Sequence, residues 1–121
     1  MMMELNQITP DFAATGQLGV DDLAQAAALG FRTIVDNRPD GEAPDMPSSA
    51  EMEAAAHKLG LGFAYIPIVP GQLSDHEALE LRQVLATMQG PVLGYCRSGA
   101  RTASLWQKYC ELPAEPPLIG D

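Results

Sequence analysis

Short β-branched or aromatic runs alternate along the chain with longer stretches in which apolar residues recur every three or four positions. Phe31-Arg32-Thr33-Ile34-Val35-Asp36 has the make-up of a strand, and it follows a helical stretch from Asp21 to Leu29 that Gly30 closes, as glycine often does at a helix C-terminus. A second helix is predicted from Ser48, where Ser48-x-x-Glu51 has the form of a capping box and Met52, Ala55, Ala56 and Leu59 share one face; Gly60 ends it. Gly62-Phe63-Ala64-Tyr65-Ile66-Pro67 is the next strand. Ser74-x-x-Glu77 is a further capping box, and it opens a helix whose buried face is Ala78, Leu81, Leu85 and Met88. Pro91-Val92-Leu93-Gly94-Tyr95 forms the last strand and runs straight into Cys96, after which Thr102, Leu105, Trp106 and Tyr109 mark a helix by the same spacing. Phe12-Ala13-Ala14-Thr15 reads as a further short strand.

This alternation predicts a three-layer α/β/α fold with a small, mainly parallel sheet and right-handed crossovers. The 121 residues suit one domain, with 46% hydrophobic and 19% charged residues, an ordinary globular composition. We expect the folded unit to occupy residues 1–110, and residues 111–121, broken by Pro113, Pro116 and Pro117, to form an irregular tail.

Charge narrows the partners. A formal charge of −9 has the wrong sign for neutralising nucleic-acid phosphates, so neither DNA nor RNA is expected as a ligand. An anionic substrate would need a local positive spot on this acidic surface, and Arg97 and Arg101 beside Cys96 supply one. The start of the chain, Met1 to Asn6, has no basic segment leading into an apolar run, and no stretch approaches the length of a membrane span, which points to a cytoplasmic protein without membrane contact. Cys96 and Cys110 are too few for a disulfide framework, no cysteine or histidine falls at zinc-site spacing, and no metal or cofactor is expected. A helix rising ~1.5 Å per residue would hold Cys110 well beyond the ~7 Å disulfide limit from Cys96, so its role is packing. His57 and His76 fall in charge-rich helical patterns and read as exposed.

The chemistry is concentrated in Cys96-Arg97-Ser98-Gly99-Ala100-Arg101-Thr102. A strand that ends in cysteine and turns through glycine into a helix puts the thiol at the positive end of a helix dipole, among backbone N–H groups with no helical partner. That field favours thiolate. Arg97 and Arg101 would add to it, Gly99 allows the N–H groups to turn inward, and the Ser98 or Thr102 hydroxyls could bond to the sulfur or to a bound oxyanion. A purely structural cysteine needs no arginines at the C-terminal edge of a strand, where open α/β sheets bind ligands. Asn37, Arg38, Asp40 and Glu42 follow the Ile34-Val35 strand and would reach the same edge, although Pro39-Asp40-Gly41 also accounts for a plain turn. Asp40 and Asp75 are the carboxylates considered as a general acid, with Asp75 equally explained by its place at a helix start.

The loop resembles the active-site loop of the bacterial beta-lactamase-hydrolase-like, phosphatase-like domain family, often called sulfur transferases. Thr15-Gly16-Gln17, Asn37-Arg38-Pro39-Asp40-Gly41-Glu42, Ile66-Pro67 and Pro70-Gly71 also fit that family's pattern, so the resemblance runs over residues 5–110. It implies a fold like that of dual-specificity protein phosphatases and a loop chemistry like that of rhodaneses, which carry a persulfide on the cysteine. By the same resemblance Cys96 and Arg101 are catalytic, while Arg97, Ser98, Gly99, Ala100, Thr102, Asn37, Arg38 and Asp40 bind substrate. Family members usually continue into further helical sequence where this chain has Leu112-Pro113-Ala114-Glu115-Pro116-Pro117, so an apolar patch left bare, or covered by a partner, is expected.

Against phosphatases proper, Tyr95 stands where they place histidine, and four residues rather than one more separate Cys96 from Arg101. A tighter ring suits a single sulfane sulfur better than a tetrahedral phosphoryl group whose oxygens need a bidentate arginine. The sequence therefore favours a rhodanese-type sulfurtransferase working through a Cys96 persulfide on a small anionic or sulfane-sulfur substrate, with a possible partner enzyme in sulfide or persulfide metabolism. A cysteine-based phosphatase is the alternative, and an inactive anion- or persulfide-binding module is the third reading.

Overall fold

The computed structural model describes residues 3–114. Its strands are β1 (Leu5–Thr9), β2 (Phe12–Thr15), β3 (Thr33–Asp36), β4 (Gly62–Tyr65) and β5 (Val92–Tyr95). Its helices are α1 (Leu23–Ala28), α2 (Ser49–Lys58), α3 (Asp75–Thr87) and α4 (Ala100–Glu111). The strands form one sheet in the order β1-β2-β5-β3-β4, in which β2, β5, β3 and β4 run parallel and β1 pairs antiparallel with β2.

Alternate residues of each central strand enter different cores, as the pleat requires of a sheet covered on both faces. Ala13, Ile34 and Leu93 pack with Leu23 and Ala26 of α1 and with Met52 and Ala56 of α2. Phe12, Val35 and Val92 face the other way, onto Ala78, Leu81 and Val84 of α3 and Leu105 of α4. The result is the expected three-layer α/β/α arrangement. Both capping boxes form: the Ser48 hydroxyl accepts from the Glu51 amide, and in the second Glu77 Oε1 accepts from the Ser74 amide at 2.8 Å. Trp106 stacks on Phe12 with ring centroids 4.7 Å apart, which puts it in the second core as its spacing implied.

Strand β1 was not expected. Its residues are exposed or half-buried, with Ile8 packed against the second core, and it owes its order chiefly to the ladder with β2 across the Pro10-Asp11 turn. Leu59, assigned to the buried face of α2, is instead the cap after that helix and is 44% exposed. A turn of 3-10 helix over Val20–Asp22 replaces the first residues of the helix expected from Asp21. At the other end α4 runs on through Glu111 and Leu112 packs against the second core, while residues 115–121 of the expected tail lie outside the described residues. A groove of about 450 Å³ lies between α3 and the end of α4, lined by Arg82, Leu85, Tyr109 and Leu112 among others. Among the described residues no helix is long and apolar enough to cross a membrane.

Candidate active site

The four parallel strands deliver their C-terminal ends to one edge of the sheet. Chain leaves β2 at Gly16, β3 at Asn37, β4 at Ile66 and β5 at Cys96. Cross-bonds tie these exits together: the Cys96 amide donates to the Thr15 carbonyl at 3.4 Å, that of Asn37 to Tyr95 at 2.8 Å, and that of Ile68 to Asn37 at 2.9 Å. This is the edge at which ligands bind in open α/β sheets.

Two glycines shape the cysteine loop. Gly99 caps α4 with φ +93°, in the left-handed region, and a Cβ there would lie 3.3 Å from the Thr15 carbonyl oxygen. On β5, a Cβ at Gly94 would stand 2.5 Å from Thr102 Cγ2, so its absence lets the first turn of α4 settle on the strand. Cys96 is fully buried yet belongs to neither hydrophobic core. Its sulfur accepts from the Gly99 N–H at 3.0 Å. Burial alone pushes the Cys96 thiol up, but the backbone N–H groups of Thr102, Ser98, Arg101 and Gly99 together outweigh it and hold the thiol below its ordinary range.

Arg101 is tied on both terminal nitrogens. Its Nη1 donates to Glu42 Oε2 at 2.9 Å and to the Ile68 carbonyl at 2.8 Å, and its Nη2 donates to Glu42 Oε1 at 2.7 Å. Glu42 also accepts from Arg38 Nε at 2.7 Å, and Arg38 Nη1 donates to Gln17 Oε1 at 3.0 Å. The Arg101 bond chiefly, with Arg38 adding to it against partial burial, lowers the Glu42 carboxyl to about 2. Glu42 in turn raises the Arg101 guanidinium above its ordinary value.

The other expected site residues divide by what they touch. Arg38 joins the network. Asn37 and Thr102 are both buried and bond to each other, Thr102 Oγ1 donating to Asn37 Oδ1 at 2.7 Å, while Asn37 Nδ2 donates to the Ile66 carbonyl at 2.9 Å. The Thr102 hydroxyl therefore faces Asn37 rather than the sulfur, and Thr102 serves the thiolate through its amide. Ser98 is exposed, with its hydroxyl accepting from the Ala100 amide at 3.3 Å. Arg97 is exposed and, among the described residues, makes no ion pair with a carboxylate. Asp40 is turned to α2, where its carboxylate accepts from the Ser49 amide and hydroxyl, both at 2.7 Å. Asp75 lies at the start of α3 with a largely exposed side chain 3.6 Å from Lys108. Neither aspartate is brought to Cys96. Sequence reasoning placed Glu42 at this edge without giving it a role, because nothing in Arg38-Pro39-Asp40-Gly41-Glu42 reveals that a turn folds the glutamate back between two arginines.

Residues 4–110 match the family model described as the beta-lactamase hydrolase-like protein, phosphatase-like domain. The chain belongs to that family. It is 32% identical over 104 residues to a beta-lactamase hydrolase-like protein of Xylella fastidiosa and 29% identical over 104 residues to one of Agrobacterium fabrum. Each match takes in 86% of this chain and 24% of the relative, so the chain spans about a quarter of the length of these curated relatives. Among solved structures, a candidate phosphatase of Neisseria meningitidis is similar with a TM-score of 0.76 and 33% identity, covering 84% of this chain and 72% of that one. TpbA of P. aeruginosa, solved with phosphotyrosine, shares the fold with a TM-score of 0.61 at 21% identity, over 84% of this chain and 58% of its own. The chain is thus an enzyme domain of phosphatase-like fold. The expectation that sulfur transfer outranks phosphoryl hydrolysis finds no support among these relatives, which favour the alternative.

Proposed function

We propose that this domain is a thiolate-dependent phosphomonoester hydrolase in which Cys96 is the nucleophile and Arg101 the anion clamp. The observation that carries the reading is the set of backbone N–H groups directed at the Cys96 sulfur, with Gly99 at 3.0 Å, beneath an arginine held at the same sheet edge. Such donors stabilise the thiolate before substrate arrives and the phosphoryl oxygens as charge develops on them. The thiolate attacks phosphorus, an S–P bond forms, and the ester P–O bond breaks with its electron pair leaving on the alcohol oxygen. Water then attacks the phosphocysteine, releasing inorganic phosphate and restoring the thiolate. Since Asp40 and Asp75 are engaged elsewhere, substrates whose leaving group departs without a proton, such as aryl phosphates, fit this site best.

Sulfur transfer remains a second reading for one specific reason. Arg101 comes one residue earlier than in phosphatase loops, and the following position is Thr102, whose hydroxyl is spent on Asn37. The deciding experiment runs aryl phosphate hydrolysis beside sulfur transfer from thiosulfate to cyanide on one preparation, with Cys96→Ser as the blank. Cys96-dependent phosphate release that exceeds thiocyanate formation is expected; the reverse ordering would replace this reading with the sulfurtransferase one. Finding neither activity would leave the anion-binding module.

A further inference from the structure

Glu42 and the Ile68 carbonyl occupy one side of the Arg101 guanidinium, and the side that remains lies within hydrogen-bond reach of the Cys96 sulfur. Glu42 approaches end-on, its two oxygens bridging Nη1 and Nη2 at 2.9 and 2.7 Å, and the second Nη1 hydrogen goes to the Ile68 carbonyl at 2.8 Å. A guanidinium has five N–H groups in a fixed fork. Three are thereby spent, and the two that remain, on Nε and on the outer side of Nη2, are parallel and adjacent. That edge can grip two oxygens of a tetrahedral anion.

We propose that Glu42 is a positioning residue, itself fixed by Arg38, whose end-on bond turns the Nε–Nη2 edge of Arg101 toward an oxyanion held over Cys96. The inference rests on the anion-clamp role given to Arg101 above. Its support is geometric. Glu42 shares its loop with Arg38, which is only 8% exposed and is itself held by Gln17 at 3.0 Å, so the carboxylate oxygen that meets Arg101 Nη2 is also anchored by a second, nearly buried cation. Four chain segments, after β2, β3, β4 and β5, meet in this one network. A carboxylate that served only to neutralise Arg101 would need no second cation and no bidentate geometry.

The test separates positioning from simple structural support by coupling, using inorganic phosphate as the probe. Protection of Cys96 from iodoacetamide by phosphate, read by mass at the Cys96 peptide, is measured for wild type, Glu42→Gln, Arg101→Lys and the double variant. Glu42→Gln should weaken protection about tenfold, Arg101→Lys at least as much, and the double variant should be no worse than Arg101→Lys alone, because Glu42 acts through Arg101. Arg38→Lys should shift protection in the same direction by a smaller factor, about threefold, which covers the case in which Glu42→Gln does not fold. Independent losses that multiply, or protection unchanged or tightened in Glu42→Gln, would overturn the proposal. The latter would make Glu42 a competitor for the anion. Because this readout needs no turnover, wild type that binds phosphate with the expected coupling but hydrolyses no aryl phosphate would retain the positioning role and sink only the hydrolase reading.

Discussion

The Gly99 N–H points at the Cys96 sulfur, 3.0 Å from nitrogen to Sγ, at the one loop position where the backbone turns left-handed. That bond exists because β5 and α4 meet at a glycine, and it is one of several amide contacts that keep the thiol below its ordinary range. Replacing the sulfur removes what the cage is built for. Cys96→Ser should fold normally, since the residue lies outside both cores, and should lose activity by roughly a thousandfold or more because an alkoxide is not formed there without a base. Retained turnover in that variant, measured with the same substrate, would remove Cys96 from the mechanism.

Gly99→Ala tests the cage itself. The φ of +93° and the 3.3 Å approach of a Cβ to the Thr15 carbonyl make alanine strained there, at a cost of about 1–2 kcal/mol for the backbone conformation alone. Relief of that strain would swing the Gly99 amide away from the sulfur. The rate of Cys96 alkylation as a function of pH should then show a thiol pKa higher than in wild type, together with a lower melting temperature. An unchanged alkylation profile would show that the other amides suffice.

Thr102→Val distinguishes hydroxyl from amide. The hydroxyl donates to Asn37 Oδ1, and removing it strands a buried acceptor, which costs about 1–3 kcal/mol. The amide that faces Cys96 survives the substitution. Stability should therefore fall in chemical denaturation while the alkylation profile of Cys96 stays within about threefold of wild type. A large change in thiol reactivity would mean that the Thr102 side chain acts on the sulfur after all.

How much of this was legible in the chain follows from which interactions are local. Capping boxes at Ser48 and Ser74, the 3.6-residue spacing of Leu81 and Leu105, and the strand running into Cys96 are written in neighbouring residues, and they appeared where expected. The turn from Cys96 through Gly99 into α4 was legible for the same reason. Edge strand β1 was not, because Leu5 to Thr9 has no fully buried residue and takes its order chiefly from β2. The Glu42–Arg101 pair spans 59 positions, and no periodicity joins a turn after β3 to the first turn of α4. Likewise, nothing local tells that Asp40 turns back to Ser49, 9 positions on, instead of facing the thiol.

That orientation of Asp40 yields a prediction about leaving groups. With its carboxylate bonded twice to Ser49 and Asp75 facing Lys108, neither residue can hand a proton to a departing alcohol. Asp40→Asn and Asp75→Asn should each keep kcat/KM within about threefold of wild type, where loss of a working general acid typically costs about a hundredfold or more. Across a series of aryl phosphates the rate should rise steeply as the leaving phenol becomes more acidic. A flat series, or a hundredfold loss in either variant, would identify a proton donor.

Asp36 supplies a pH-dependent contribution to stability whose sign can be worked out. The residue is fully buried at the end of β3; its Oδ1 accepts from the Arg38 amide at 2.9 Å, and the buried Tyr95 hydroxyl lies close enough to favour its charged form. Burial raises the carboxyl from 3.8 to about 6, and the Arg38 amide and the Tyr95 hydroxyl oppose that only in part. A folded-state pKa above the unfolded one means that the native protein holds the proton more tightly. The resulting stabilisation is complete below about pH 3.8, declines as the unfolded chain begins to ionise, and is gone above about pH 6, where the native state must bury a charge. The gap corresponds to roughly 2–3 kcal/mol. Asp36→Asn carries no such term, and Glu42, whose lowered carboxyl has the opposite dependence at more acid pH, is common to both proteins and cancels. Unfolding by urea at pH 4 and at pH 7 should therefore show the variant gaining stability relative to wild type by that amount as pH rises. A difference that stays constant, or moves in favour of wild type, would show that Asp36 is already ionised in the native protein at pH 4.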